Sequence, residues 1–315
     1  MPTQLDLTAT APLPASTSAT VAESPSSSSS SGQLDWALLL VPGLIWGASF
    51  LFIAQGLEAM APDGVTFTRF IIGFLTLSLV PGARRPVLAS DHAGIAWLGV
   101  LWLAFPMSMF PHAEQHVSSA LTGMLNGAIP LIAAGVAAIV ARRAPPRAVV
   151  AGLMVGFAGA ALMAIHGLGA GGNTARGVLL IVAALVSYGV AINLARPLQQ
   201  RNGALPVVWR ALGVALVLTA PRGLPALLAA RWSLGSLLAV LALGFLGTAV
   251  ANVVMAVAAG RLGATRASAT TFLIPVVALL LGVAVRGERV PALAVAGGAL
   301  CLTGAWLVRR ATVRR

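Results

Sequence analysis

Polar side chains set inside long apolar runs are expensive in a lipid interior, so each one is a candidate for chemistry. Asn126 and Thr271 stand four residues before Pro130 and Pro275. A proline has no N–H to give the carbonyl four residues earlier. Each helix break therefore offers a free carbonyl beside a polar side chain, the combination that lines a cavity where helices are interrupted at membrane depth. The competing account is a plain kink, with the Asn or Thr packed against a neighbouring helix. Asn193 and Asn252 can add hydrogen bonds to a bound ligand, or equally tie helices together. Trp46 and Tyr188 offer stacking faces, and as packing aromatics they would look the same.

Arg69 is the cation best suited to an anionic ligand group or a gating ion pair. Its alternative is to snorkel to the membrane interface. Glu114 and His116 can relay protons in an ion-coupled cycle, although a solvated loop is the plainer account of both. Glu288 can pair with Arg286 or Arg289, or favour the helix start at Pro291. The four histidines (92, 112, 116 and 166) are scattered, and the one cysteine, Cys301, lies in an apolar run. No metal spacing forms from them. Phosphate-loop, HExxH and GxSxG patterns are absent, which argues against nucleotide hydrolysis and intramembrane enzymology, and no cofactor is expected.

The elements that must position these residues are apolar helices. Hydrophobic residues make up 58% of the 315, charged ones only 9%, and the mean hydropathy is +0.92. Apolar surface in that excess must face lipid. A bilayer core of about 30 Å needs roughly 20 helical residues. Ten segments meet or approach this length: 36–56, 64–81, 93–111, 118–140, 148–167, 177–195, 206–221, 234–258, 268–285 and 291–308. Residues 1–33, rich in Ser, Thr, Ala and Pro, read as a disordered cytoplasmic tail, and 309–315 as a basic cytoplasmic end.

The net charge of +12 and pI near 11.9 do not point to nucleic acid, because the charge lies in short clusters between apolar runs. All twenty basic residues are arginine, a bias typical of GC-rich bacteria. With the N-terminus inside, the cytoplasmic breaks hold Arg84, 85, 142, 143, 147, 196, 201, 261, 266, 309, 310, 314 and 315. The outer breaks hold Arg176, 222, 231, 286 and 289. Thirteen against five places both ends in the cytoplasm.

The two halves also resemble each other. Adding 145 carries Gly99 to Gly244, Ala104 to Ala249, Pro130 to Pro275, Pro146 to Pro291, Gly152 to Gly297 and Gly159 to Gly304. Near the start of each half the shift is smaller, with Arg69 against Arg210 and Trp46-Gly47 against Tyr188-Gly189. Five helices per half would invert the second copy, an architecture that sets a binding site near the midplane.

With these motifs in order, the chain over roughly 36–308 resembles the EamA-type members of the drug/metabolite transporter superfamily. The resemblance rests on Trp46–Phe50, Arg69, Ala113–Ala120 with Pro130, Gly244–Ala249, and Pro275–Ala278 through Gly287-Glu288. Where the second half has Gly287-Glu288, the first has Arg142-Arg143, a departure that breaks any symmetric role for the glutamate. The resemblance implies an all-α polytopic membrane protein of ten transmembrane helices in two inverted five-helix repeats, 34–167 and 175–308. It further implies a secondary carrier that exports small metabolites or drugs across the bacterial inner membrane by alternating access. Its partners would be a small-molecule substrate and the bilayer, with protons a candidate coupling ion and a homodimer a candidate assembly. The rivals are a lipid scramblase or another non-carrier membrane protein and, within the class, a nucleotide-sugar-type carrier.

Overall fold

The computed structural model of the chain describes residues 28–142, 144–168, 172–262 and 267–313, and regular structure among them is helical throughout. In chain order the helices are α1 (Ser28–Gly56), α2 (Pro62–Ser78), α3 (His92–Leu98), α4 (Phe105–Glu114), α5 (Ser119–Asn126), α6 (Ile129–Ala141) and α7 (Arg147–Leu168). There follow α8 (Gly172–Asn202), α9 (Ala204–Leu228), α10 (Leu234–Ala242), α11 (Ala251–Leu262), α12 (Leu273–Arg286) and α13 (Ala292–Val313). Among the described residues seven stretches are long and apolar enough to cross a membrane, from Gln33–Gly56 to Ala292–Ala311, and Arg147–Met163 and Thr270–Arg286 are shorter apolar helices. Leu75, Ile139, Met154, Leu179 and Val217 stand exposed on the outside, while Phe70, Leu98, Leu131, Ile181 and Leu212 are fully buried. An apolar exterior around an apolar core is the pattern of helices packed in lipid. The chain is a multi-pass membrane protein.

Several boundaries differ from the sequence reading. Residues 1–27 of the expected tail lie outside the described residues, but Ser28–Gln33 are helical. Serine is a middling helix former, and an adjoining apolar helix lets its first turns propagate outward. Pro197 and Pro221 lie within α8 and α9, where the segments were expected to end. Each proline gives up one backbone bond, which membrane helices tolerate when neighbours re-satisfy the freed group. The expected segment 118–140 is broken at Gly127-Ala128 into α5 and α6, with Pro130 in the first turn of α6.

Two widened π-helical turns interrupt the long helices, one at Gly99–Ala104 between α3 and α4, the other at Leu243–Val250 between α10 and α11. A π turn leaves carbonyls to be met from outside. Here Trp46 Nε1 of α1 donates to the Gly247 carbonyl at 3.0 Å, and Ser187 Oγ of α8 donates to the Leu101 carbonyl at 2.7 Å. Each bond crosses between the halves of the chain.

The most extensive helix contact joins α7 to α13. It is built on glycine: a Cβ on Gly152 would meet the Gly304 carbonyl at 3.0 Å, and one on Gly297 the Gly159 carbonyl at 2.8 Å. Residue numbers rise along α7 as they fall along α13, so the pair is antiparallel, with the backbones in contact as small residues allow.

Candidate functional site

Between the halves lies a cavity of ≈ 210 Å³. α1 supplies Trp46, Ser49 and Phe50, α2 supplies Arg69, and the first π turn and α4 supply Trp102, Met107 and Phe110. Asn126 enters from the last residue of α5, Tyr188 from α8, Asn252 from α11, and Thr271 from the turn before α12. The walls are mainly apolar and aromatic, with a few convergent polar groups, the usual constitution of a small-molecule site.

Arg69 is buried, 4% exposed. Helix α2 packs against the second π turn, where Gly73 faces Thr248 and Gly244 faces the Arg69 carbonyl. That close approach encloses the guanidinium. Its Nε donates to Thr248 Oγ1 at 3.2 Å, and no carboxylate lies within ion-pair distance of it among the described residues. Arg69 is enclosed by protein rather than exposed on the outside of the bundle. A charge held at membrane depth costs roughly 3 kcal/mol even on the lenient insertion scale. This one keeps most of its donors free toward the cavity.

Both helix breaks reach the cavity. Asn126 ends α5, and Pro130 cannot bond its carbonyl. Thr271 sits in a tight 3-10 turn, Ser268–Phe272, just before α12 and Pro275. The side chains of Asn126, Tyr188 and Thr271 have no hydrogen-bond partner among the described residues and line the cavity. Asn252 lines it too, with Nδ2 donating to the Thr248 carbonyl at 2.7 Å. Asn193 does not line it: Nδ2 donates to the carbonyls of Ala133 (3.1 Å) and Gly189 (2.8 Å), joining α8 to α6. Of the two readings open in the sequence, helix joining describes its place.

Toward the end of the bundle that holds Glu288, three rings close ranks. Phe50 and Phe110 meet edge to face at 5.6 Å, and Phe110 stacks on Tyr188 at 6.0 Å. One turn beyond Phe110, the Glu114 carboxylate is enclosed with neither oxygen hydrogen-bonded among the described residues. The solvated loop expected for it is not what surrounds it. His116, two residues on, is partly exposed.

Above this layer Glu288 makes a latch. Its Oε1 accepts from the Ser119 N–H at 3.0 Å and the Ser119 hydroxyl at 2.7 Å, and its Oε2 accepts from the Ala120 N–H at 2.9 Å. A carboxylate on the first N–H groups of α5 satisfies donors that a helix start leaves open. Arg286 stands 3.7 Å from Glu288 and 3.0 Å from Glu58, in the turn between α1 and α2. The expected pairing with Arg286 is therefore present, and the sequence reading missed the distant partner, α5. It also missed Trp102, Phe110, Ser49 and Thr248 as site residues. Trp102 and Thr248 could have been found, since both lie within the spans bounded by the repeated pairs Gly99/Gly244 and Ala104/Ala249.

Comparison with known proteins fits this arrangement. The sequence profile of the EamA-like transporter family matches residues 36–165 and again 175–310. A relative in Streptantibioticus cattleyicolor, described as a probable terminal-alkyne amino-acid exporter, is 30% identical over 285 residues, covering 89% of this chain and 94% of its own. YdfC of Bacillus subtilis, described as an uncharacterized transporter, is 26% identical over 269 residues, covering 82% and 86%. A solved crystal structure of a protein aligns with TM-score 0.59 over 91% of this chain and 98% of its own; at 22% identity it speaks to the fold alone.

Proposed function

The chain belongs to the EamA-like transporter family, and from that premise we propose that it exports small amino acids with apolar side chains across the bacterial inner membrane. The observation that carries the reading is Arg69, a buried cation that lines the central cavity without an acidic partner among the described residues. A carboxylate is the natural complement to an unpaired guanidinium, which binds it through two parallel hydrogen bonds. Trp46, Trp102 and Phe110 then enclose an apolar side chain, and Asn126 and Thr271 offer oxygens to an ammonium group. The name of the Streptantibioticus relative, an amino-acid exporter, supports the same class of substrate. A cavity of ≈ 210 Å³ with one cation suits an amino acid far better than a nucleotide sugar.

The mechanism is alternating access in a ten-helix bundle of two inverted repeats. Helices α1, α2, α3–α4, α5–α6 and α7 form one repeat, and α8, α9, α10–α11, α12 and α13 the other. Exchanged contacts support the inversion. Gly152 meets Gly304 as its counterpart Gly297 meets Gly159, the reciprocal pattern of a two-fold axis. Likewise α1 packs on α11 and α12, as α8 packs on α4 and α6. The recurrence of the π turn and of the proline break supports it further, as does the double match of the family profile. Both termini then lie in the cytoplasm.

Purified protein in proteoliposomes, tested with labelled neutral amino acids and their decarboxylated amines, checks the reading. Saturable flux of the acids is expected, with k cat/KM down at least tenfold in Arg69→Ala and by a smaller factor in Asn126→Ala. Flux that is equal for the amines, or unchanged in Arg69→Ala, would overturn it. Lipid movement without solute flux would point to a scramblase instead.

A further inference from the structure

A second pocket lies on the outside of the bundle, away from the central cavity. It is a groove of ≈ 520 Å³ walled by Phe74 of α2, Ile95 of α3 and Gly213, Val214 and Val217 of α9. Val217 is largely exposed, so the apolar wall continues onto the lipid-facing surface. Gly213 keeps the floor open, for a Cβ there would stand 3.3 Å from the Phe74 ring.

One end of the groove is polar and basic. Arg210 lines it, with Nη1 donating to the Pro206 carbonyl at 3.2 Å and the guanidinium 5.4 Å from the centre of the Trp209 ring. Trp209 is itself fixed, stacked on Phe74 at 5.4 Å and donating to Ser78 Oγ at 2.8 Å. No carboxylate pairs with Arg210 among the described residues. From the facing helix His92 contributes an exposed imidazole; Nδ1 contacts the Ala89 carbonyl at 3.0 Å and Nε2 has no partner among the described residues. The adjacent acid, Asp91, is neutralised: Arg201 holds it at 2.8 and 3.1 Å, and Asn202 at 2.6 Å. Arg84 and Arg85, on the loop that joins α2 to this region, are exposed at the same end of the bundle.

We propose that this groove binds an anionic phospholipid, with one acyl chain along Phe74, Val214 and Val217 and the phosphate between Arg210 and His92. Charge complementarity selects the ligand. A cation beside an indole at the head of an apolar groove matches a phosphate joined to an acyl chain, and basic pockets between membrane helices hold such headgroups. The two repeats thus put their matched arginines to different uses. Arg69 faces the central cavity, and Arg210 faces the bilayer.

Native mass spectrometry of the purified full chain, titrated with phosphatidylglycerol and with phosphatidylethanolamine of the same acyl chains, tests this. Wild-type protein should retain phosphatidylglycerol at least tenfold better. Arg210→Gln should remove about tenfold of that preference, His92→Gln about threefold, and Gly213→Val should lower retention of both lipids. Arg222→Gln, on the other end of the bundle, should change nothing. Equal retention of the two lipids by wild type, or undiminished preference in both Arg210→Gln and His92→Gln, would overturn the site whatever the transport assay shows.

Discussion

At the scale of single residues, the two halves differ most tellingly where their proline helices end. α12 closes on Gly287 with φ +63°, a left-handed residue at which glycine is unstrained. α6 closes in the same way on Arg142, with φ 49°. An L residue in that region loses roughly 1 kcal/mol to crowding of its Cβ against the backbone. Arg142→Gly should therefore raise stability by about 1 kcal/mol, less what glycine's looser unfolded chain takes back. Gly287→Ala should lower it by about 1 kcal/mol for the converse reason. Thermal unfolding in detergent reads both. Shifts of the same sign in the two variants would contradict the assignment of matched caps. The arginine at this position keeps a positive charge at a helix end where the family resemblance leads one to expect glycine.

At the scale of elements, the α7–α13 pair shows what glycine does in a medium without a hydrophobic drive between helices. Its two contact points are backbone against backbone, and a side chain on Gly159 would run into the main chain of α13 at Gly297 and Cys301. Gly159→Leu should push the helices apart and cost several kcal/mol, at or beyond the 1–3 kcal/mol typical of overpacking, because backbone cannot repack. Gly135, with nothing near its Cβ position, serves as the control: Gly135→Ala should be neutral or slightly stabilising. Loss of folded protein on size exclusion in the first variant, with the second unaffected, is the expected result. The elements themselves were largely legible, because every spanning helix carries an apolar run and the prolines recur at one offset. Their ends were less so. Pro197 and Pro221 read as stops, yet the surrounding bundle carries the helix through them. The site was legible where a residue's own surroundings declared it, as with Arg69 and Asn126. It was illegible where the partner came from another helix. Asn193 looks like a ligand group until Ala133 is seen beside it, and Glu288 sits among Arg286, Arg289 and Pro291 in sequence while bonding residues 168 and 169 positions away.

At the scale of the whole molecule, the proposed inverted repeat carries an asymmetry. At one mouth of the central cavity lie the aromatic layer of Phe50, Phe110 and Tyr188 and, above it, the Glu288 latch with its three bonds to the start of α5. In the proposed repeat the sequence position matching Glu288 is an arginine, Arg143, so the proposal gives the latch no carboxylate counterpart. A carrier whose two mouths open in turn needs near-equal free energies for its two states, and a latch on one mouth alone biases the resting state toward closure there. Each charge-assisted bond to a carboxylate is worth about 1.5–3 kcal/mol, so even one that opening must break shifts the balance roughly tenfold or more. Glu288→Ala should therefore expose the residues beneath the latch. In a Cys301→Ala background carrying Ser49→Cys, which lines the cavity and leaves the three rings in place, labelling by an impermeant maleimide applied from the side that bears Glu288 should speed up at least tenfold when Glu288→Ala is added. Glu288→Gln, which keeps an acceptor for α5 but loses the charge toward Arg286, should fall between. Labelling that stays slow in Glu288→Ala, in protein that still folds, would mean that the rings alone hold this mouth shut and that the latch merely caps a helix.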